Sequence, residues 1–209
     1  MITLSPVLEP YRAGIEKYYS EAQTFLRELP KNISFEDNNN LIILGHPTGG
    51  YTASASLIKL GIDGNWPDKS ELASSLRATI FHEAYHVLQG YNGEASKKRP
   101  FSATESAVYE GCATVFAREY AGKSPGWAEY GDEQTMLSWC DELRQIPRGQ
   151  DYRNLRFFDP DTGRRWVVYR TGVFIVDRAL RTNKLDITEL RQKSVDQILK
   201  LAQLAQPVD

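Results

Sequence analysis

The chain has 209 residues, of which 41% are hydrophobic and 25% charged, and its formal net charge at pH 7 is −2. This composition is typical of an ordinary globular protein and excludes a largely disordered chain, while the near-neutral charge gives no reason to expect a nucleic-acid partner. No apolar run approaches the roughly 20 residues that span a bilayer, so we expect no membrane segment. We predict one domain over residues 1–209.

Two further features bear on where the protein works. Residues 1–14 lack both the basic region and the apolar core of a signal peptide, so we expect a cytoplasmic protein. The two cysteines, Cys112 and Cys140, are too few for a disulfide framework or a cysteine metal site. We expect both to be buried thiols.

The first third of the chain predicts one helix and a small sheet. Apolar residues three and four positions apart indicate a helix over residues 6–29, which Pro30 ends. Strand-like runs follow at Ile33–Phe35, Leu41–Leu44 and Ala53–Ile62, separated by predicted turns at residues 37–40 and 45–50. We expect these runs to form a small antiparallel sheet.

Residues 70–89 predict the next helix. Their apolar residues recur every three or four positions, as on one face of an amphipathic helix. Asp68 or Ser70 can cap the start of this helix, and Gly90 can end it.

This helix carries the motif HEAYH. His82 and His86 lie one turn apart on one face, because a helical residue turns by about 100°, and together they can hold one metal ion. Glu83 follows the first histidine directly, beside the open position of such an ion, where it can take a proton from water. With three histidines in the chain, a chance match is on the order of one in a few hundred, so a metal site is favoured over core histidines.

Catalytic zinc needs a third protein ligand, and the next predicted helix offers two carboxylates. Glu105 and Glu110 are about 140° apart around the helix axis, so they cannot both face one ion. Glu105 completes a capping box with Ser102, which gives it another use. Glu110 lies deeper, and Gly111 and Ala113 beside it would let this helix and the HEAYH helix approach closely enough for the carboxylate to share an ion with the histidines. We predict Glu110 as the third ligand and keep Glu105 as the alternative.

The motif HEAYH followed by YEGCA resembles the gluzincin group of zinc metallopeptidases, which includes thermolysin and the aminopeptidase N family. In that group the third ligand is a glutamate on the next helix, and the Glu-Gly-x-Ala form at Glu110 is similar to the aminopeptidase branch. The gap from His86 to Glu110 is longer than in that branch, whereas Glu105 has its spacing. The similarity is closest to predicted zinc-dependent proteases of unassigned substrate and covers about residues 72–181.

Three helices are predicted after residue 122, over residues 129–146, 166–180 and 186–206, the last with Asp186 and Glu189 as a capping pair at its start. The second begins with a Tyr-x-x-Gly segment that is similar to one in the same family. The resemblance implies that Tyr169 stabilises the oxyanion formed when water adds to a carbonyl, since a phenol can donate a hydrogen bond to developing charge. Arg170 can bind a substrate carboxylate or be a surface arginine. His46, in an early turn, can reach a substrate or a metal or be a solvated histidine.

These features together predict an α+β protein of zincin-like fold, mostly helical with a small antiparallel sheet before the HExxH helix. Residues 1–63 form the N-terminal helix and sheet, residues 64–122 the metal-site helices, and residues 123–209 a C-terminal helical part.

The predicted function is a zinc metallopeptidase of the gluzincin type that cleaves a peptide or protein substrate. His82, His86 and Glu110 bind Zn²⁺, Glu83 is the general base, and Tyr169 assists. Two alternatives stay open. One is a metal-binding or interaction module that keeps the zincin fold without proteolysis, and the other is a zinc amidase acting on a small substrate.

Overall fold

The structure, a computed structural model, describes residues 1–42 and 45–204. The chain forms two compact units. Unit 1 consists of Met1–Lys98 and Phe116–Lys123, and unit 2 consists of Arg99–Val115 and the described part of Ser124–Asp209. The single domain expected from the sequence stays a prediction.

Unit 1 contains a four-stranded sheet of strands β1 (Ile2–Leu4), β2 (Ile33–Asp37), β3 (Thr48–Ser54) and β4 (Leu57–Ile62), in the order β1-β2-β4-β3. The prediction of an antiparallel sheet is wrong for β1/β2 and β2/β4, which pair in parallel, and correct for β3/β4. Helix α1 (Arg12–Phe25) explains the first parallel pair, because a crossover helix returns the chain to the same end of the sheet. The sheet is therefore mixed.

The strand boundaries differ from the predicted ones around two glycines. The predicted turn at residues 45–50 includes the first part of β3, and the predicted strand at residues 53–62 covers the end of β3, the hairpin turn and β4. A Cβ atom on Gly49 would lie 1.9 Å from the carbonyl oxygen of Leu41, and one on Gly50 would lie 2.6 Å from Cγ of Glu83. These glycines serve close packing within a strand rather than a turn.

The predicted strand at residues 41–44 is not formed where the structure describes it. Leu41 ends a short 3₁₀ turn, Asn39–Leu41, which Asn38 caps through its side chain, and Ile42 follows in extended conformation. Residues 43 and 44 lie outside the described residues.

The predicted helix over residues 70–89 is confirmed as α2 (Lys69–Gln89). The carboxylate of Asp68 accepts hydrogen bonds from the N–H groups of Ser70 and Glu71, and Gly90 ends the helix with a φ of 66°. Helix α2 packs against α1 and against strand β3. This packing fixes one face of α2 against the sheet.

Unit 1 is completed by a short helix, α3 (Gly93–Lys98), and by a π-helical turn, Ala117–Ala121. Arg77 of α2 donates hydrogen bonds to the carbonyl oxygens of Tyr120 and Ala121, at 2.9 and 2.6 Å. The orphan carbonyls at the end of this turn are thus satisfied from α2.

Unit 2 is helical. Its helices are α4 (Ala103–Phe116, whose last residue belongs to unit 1), α5 (Glu133–Gln145), α6 (Arg153–Arg156), α7 (Val167–Asn183) and α8 (Val195–Leu201), with 3₁₀ turns at Gly126–Ala128 and Ile187–Leu190. Helix α7 packs against α5 and α8, and a buried apolar cluster joins α4, α5 and α7. The helices predicted over residues 129–146 and 166–180 are confirmed as α5 and α7.

The helix predicted over residues 186–206 is divided into a 3₁₀ turn and α8. Asp186 and Glu189 form the capping box expected at its start, but Ser194 and Gln197 form a second capping box that starts a new helix. Residues 205 and 206 lie outside the described residues.

The class predicted from the sequence, α+β and mostly helical, is confirmed. Cys112 and Cys140 are both buried thiols, as expected. Among the described helices, none is long and apolar enough to cross a membrane.

Helices α4 and α7 touch through two glycines. A Cβ atom on Gly172 would lie 1.9 Å from the carbonyl oxygen of Ala107, and one on Gly111 would lie 2.2 Å from the main chain of Gly172. Neither backbone can move without separating the helices. Within unit 2, Gly111 thus packs closely against α7, whereas the close approach to the HEAYH helix expected from the sequence stays a prediction.

We expect Gly172→Ala to lower the free energy of unfolding by about 3 kcal/mol, because the added methyl group overpacks two backbones in contact. Urea denaturation measures this change. Gly131→Ala is the control, since a Cβ atom there meets nothing within 4 Å, and we expect a change of at most about 0.5 kcal/mol. Equal urea midpoints for the two variants would contradict the packing argument.

Candidate metal centre

The two histidines of the HEAYH motif face each other on α2. Their ring planes are at 90°, their centroids are 4.6 Å apart, and the two Nε2 atoms are 3.0 Å apart. Two nitrogen ligands at 2.0–2.1 Å from one tetrahedral ion would be about 3.3 Å apart. The pair therefore fits two ligands of a single metal ion, provided that both rings carry their proton on Nδ1.

The end of α2 fixes the second of these histidines. The N–H groups of Gly90 and Tyr91 donate hydrogen bonds to the carbonyl oxygen of His86, and the Tyr91 ring lies 4.8 Å from the His86 ring, centroid to centroid. His86 itself is buried and His82 is half-buried. The helix cap thus holds the last turn in the geometry that the histidine pair needs.

The side chain of Glu83 contacts strand β3, within unit 1. It is buried, and its Oε2 atom accepts a hydrogen bond of 2.8 Å from the hydroxyl of Thr52. The same hydroxyl lies 3.1 Å from the main-chain carbonyl oxygen of Glu83.

These contacts belong to a polar contact between β3 and α2. One face of β3 meets one face of α2. The strand contributes every second residue, Thr48, Gly50 and Thr52, and the helix contributes residues one turn apart, Ser75, Thr79 and Glu83. The hydroxyl of Thr48 is 2.7 Å from that of Ser75 and 2.8 Å from that of Thr79. The strand thereby fixes the helix and, with it, the carboxylate of Glu83.

In unit 2, Glu110 lies buried on α4, with 4% of the residue exposed. The guanidinium of Arg156 donates a hydrogen bond of 2.5 Å to its Oε1 atom, and the same nitrogen lies 3.3 Å from the hydroxyl oxygen of Tyr169. Arg156 therefore links Glu110 and Tyr169 within unit 2. The sequence predicted Glu110 and Tyr169 as site residues but did not predict Arg156. Arg156 lies on a four-residue helix in a polar stretch, where no sequence pattern distinguished it.

Aromatic rings surround Tyr169. Trp127 and Trp166 lie 6.0 and 5.8 Å from its ring and 5.3 Å from each other, centroid to centroid. Trp166 has a φ of 60°, a left-handed conformation that is rare for a bulky residue and costs on the order of 1–2 kcal/mol. The ring of Trp166 thus packs beside Tyr169 from a strained backbone conformation.

Glu105 forms the capping box expected from the sequence. Its carboxylate accepts a hydrogen bond of 2.8 Å from the N–H of Ser102, and the N–H of Glu105 donates to the hydroxyl of Ser102 at 3.1 Å. Arg148 donates to both carboxylate oxygens, at 2.6 and 3.0 Å, and Arg99 to one, at 2.9 Å. Burial alone would raise the pKa of this carboxyl, but the hydrogen bonds from the arginines and from Ser102 lower it to about 2.

We expect Glu105→Gln to be less stable than the wild type by about 1–2 kcal/mol near pH 6, because charge-assisted hydrogen bonds are lost. A lowered pKa stabilises the fold above the ordinary value of 4.5, and this stabilisation is lost as the pH falls toward about 2. The difference in unfolding free energy between the wild type and Glu105→Gln should therefore shrink as the pH falls from 4.5 toward about 2. Urea titrations at several pH values measure it, with the exposed Glu129→Gln as control. A difference independent of pH would contradict the assignment.

Two further sequence candidates are His46 in unit 1 and Arg170 in unit 2. His46 is half-buried in unit 1; burial and the charge of Lys123 lower its pKa, and Glu71 opposes them. Arg170 is half-buried on α7, and its buried Nε atom has no hydrogen-bond partner in the part of the chain that the structure describes. The role of each stays open.

Comparison with known proteins gives one family. The family model that matches is described as a Predicted Zn-dependent protease (DUF2268), and it covers residues 17–200. No curated protein and no solved structure matches the chain. The matched range includes the histidine pair, Glu83, Glu110 and Tyr169.

Proposed function

Because the chain belongs to this family of predicted zinc-dependent proteases, we propose that it is a zinc metallopeptidase of the gluzincin type that acts on a peptide or protein. The Zn²⁺ cofactor expected from the sequence agrees with the description of the family. The ligand set, the general base and the gluzincin type are the finer part of the proposal, and they rest on the residues of the two units.

The observation that carries the proposal is the histidine pair of α2, with Nε2 atoms 3.0 Å apart and Glu83 next to it in sequence. His82 and His86 are the first two zinc ligands in this proposal. A structural role for the two histidines alone would give no reason for a buried carboxylate on the same turn of the helix, that of Glu83, held by Thr52. The family and the geometry of unit 1 thus support the same chemistry.

Glu110 is the third ligand that we propose. Both oxygens of the rival, Glu105, already accept hydrogen bonds from arginines or from the helix start, so recruiting it to a metal would break the cap of α4. Glu110 is buried and has no such capping role. A buried carboxylate needs positive partners, and a zinc ion would join Arg156 in that role.

In the proposed reaction, bound zinc would supply a Lewis acid that polarises the scissile carbonyl and makes water more acidic. Glu83 takes a proton from the attacking water and then gives it to the nitrogen of the leaving amine. Tyr169 donates a hydrogen bond to the oxygen on which negative charge develops. Arg156 holds the Tyr169 hydroxyl and the Glu110 carboxylate at fixed positions through one nitrogen.

The proposal is tested with purified protein assayed against a peptide library and against small non-peptide amides, with the zinc content measured in parallel. We expect about one zinc per chain and cleavage of peptides that a chelator abolishes and added zinc restores. Hydrolysis of small amides alone would replace the peptidase by an amidase. Bound zinc with no turnover of either substrate class would favour a non-proteolytic module.

Gly50→Ala tests whether the position of Glu83 matters. The added Cβ atom would lie 2.6 Å from Cγ and 2.7 Å from Oε1 of Glu83, so the carboxylate must move. We expect kcat to fall by about tenfold or more, since general-base catalysis depends on hydrogen-bond geometry. Gly14→Ala is the matched control, because its Cβ atom would make ordinary contacts at 3.6 and 3.8 Å. Equal kcat values in the two variants would contradict the prediction.

A further inference from the structure

The hydroxyl of Thr52 contacts Glu83 twice. It lies 2.8 Å from the carboxylate Oε2 and 3.1 Å from the main-chain carbonyl oxygen of the same residue, and Thr52 is only 2% exposed. A hydroxyl has one proton to donate, and a charged carboxylate is the stronger of the two acceptors. The hydroxyl therefore ties the side chain of Glu83 back toward its own backbone.

The two oxygens of Glu83 differ as a result. Oε2 is occupied by Thr52, whereas Oε1 has no hydrogen-bond partner among residues 1–42 and 45–204. Oε1 lies against the bare Cα of Gly50, where any side chain would collide with it. The strand thus holds one oxygen and leaves room for the other.

We propose that Thr52 is the positioning residue for the general base, an inference that rests on the proposed function. Its hydroxyl fixes the carboxylate of Glu83 and keeps Oε2 engaged, so that Oε1 is the oxygen that takes the proton of the attacking water. The proton passes from the water oxygen to Oε1 and then to the leaving nitrogen, while the proton of Thr52 stays on its own oxygen throughout. Thr52 does not touch the substrate.

Thr48 offers an internal comparison. It lies on the same face of β3, is buried like Thr52, and its hydroxyl bonds to α2 through Ser75 and Thr79. Its hydrogen bonds hold the strand to the helix without reaching Glu83. A threonine that matters only for packing should therefore behave like Thr48.

The experiment compares Thr52→Val, Thr52→Ser and Thr48→Val in the zinc-loaded full chain, using a peptide that the wild type cleaves. For Thr52→Val we expect kcat to fall by about 10- to 100-fold, as for a lost hydrogen bond to a charged group, with KM changed by less than about twofold and zinc content unchanged. Thr52→Ser keeps the hydroxyl and should retain kcat within about threefold. Thr48→Val should retain kcat even where its melting temperature falls.

A wild-type kcat in Thr52→Val would overturn the inference, and so would an equal loss of kcat in Thr48→Val or no rescue in Thr52→Ser. If Thr52→Val does not fold, the comparison of Thr52→Ser with Thr52→Ala replaces it, with the same expected difference. The Glu83→Gln variant distinguishes a failure of the role proposed for Thr52 from a failure of the role proposed for Glu83. Loss of turnover there with none in Thr52→Val would overturn only the role of Thr52, whereas turnover that survives in Glu83→Gln would overturn Glu83 as the general base of the proposed function.

Discussion

Glu83→Gln should keep its zinc and lose peptide hydrolysis, with kcat reduced by about 10³-fold or more. Glutamine has the same shape and can still accept the hydrogen bond that Thr52 donates, so the fold of unit 1 should be unchanged. A neutral amide cannot take a proton from water, and the step that creates the nucleophile is therefore lost. Zinc content by elemental analysis and kcat on a cleavable peptide measure the two halves of this result.

The control for this variant is Glu71→Gln, on the same helix three turns earlier. Glu71 accepts a hydrogen bond from the indole of Trp66, which a glutamine oxygen can also accept, and it lies in the first turn of α2. We expect its kcat to stay within about twofold of the wild type. If Glu83→Gln retained more than about a tenth of wild-type kcat, Glu83 would not be the general base.

Glu110→Gln is expected to lose both zinc and activity, whereas Glu105→Gln should keep both. Even residues that only support a metal ligand cost 10- to 100-fold in affinity when changed, so removal of a ligand should weaken zinc binding by at least about 100-fold. Competition with a chelator measures the zinc affinity of both variants. Circular dichroism shows whether each is folded, since Glu110→Gln also weakens the ion pair with Arg156.

The two glutamate variants have opposite signatures, which makes the comparison decisive. Glu105→Gln removes the partner of Arg99 and Arg148 and should lower stability without lowering zinc affinity. Normal zinc affinity in Glu110→Gln together with its loss in Glu105→Gln would reverse the choice between the two carboxylates.

Local features of this fold could be predicted from the sequence. Asp68 and Gly90 at the ends of α2, and the pair Ser102 and Glu105 at the start of α4, act through hydrogen bonds to residues within a few positions. The facing of His82 and His86 follows from helix geometry alone. Such contacts need no knowledge of the rest of the chain.

The contacts that the sequence did not predict join distant segments. Thr52 and Glu83 are 31 positions apart, and Arg156 and Glu110 are 46 apart. The parallel pairing of β2 with β4 likewise depends on how the whole of unit 1 is connected, which periodicity does not specify. Thr52 and Arg156 were therefore missed although each contacts a residue that was predicted.

The glycines show an intermediate case. Gly111 and Gly172 each lie in a segment that the sequence singled out, and at Gly111 a close approach to the HEAYH helix was expected. The sequence did not predict that these two glycines pack against each other, a contact that the structure shows within unit 2. Gly49 and Gly50 were likewise predicted to form a turn. The groups that leave no room for a side chain there are the main chain of Leu41 and the carboxylate of Glu83, which belong to other elements and cannot be recognised from the local sequence.

A crystal structure of the zinc-bound protein, with the ion located by anomalous scattering, would decide whether the three ligands are correct. We predict one zinc ion bound to Nε2 of His82, Nε2 of His86 and the carboxylate of Glu110, each at about 2.0–2.2 Å, with one position left to a non-protein ligand. Glu105 in place of Glu110, or a fourth protein ligand that closes the site, would contradict the proposed catalytic centre.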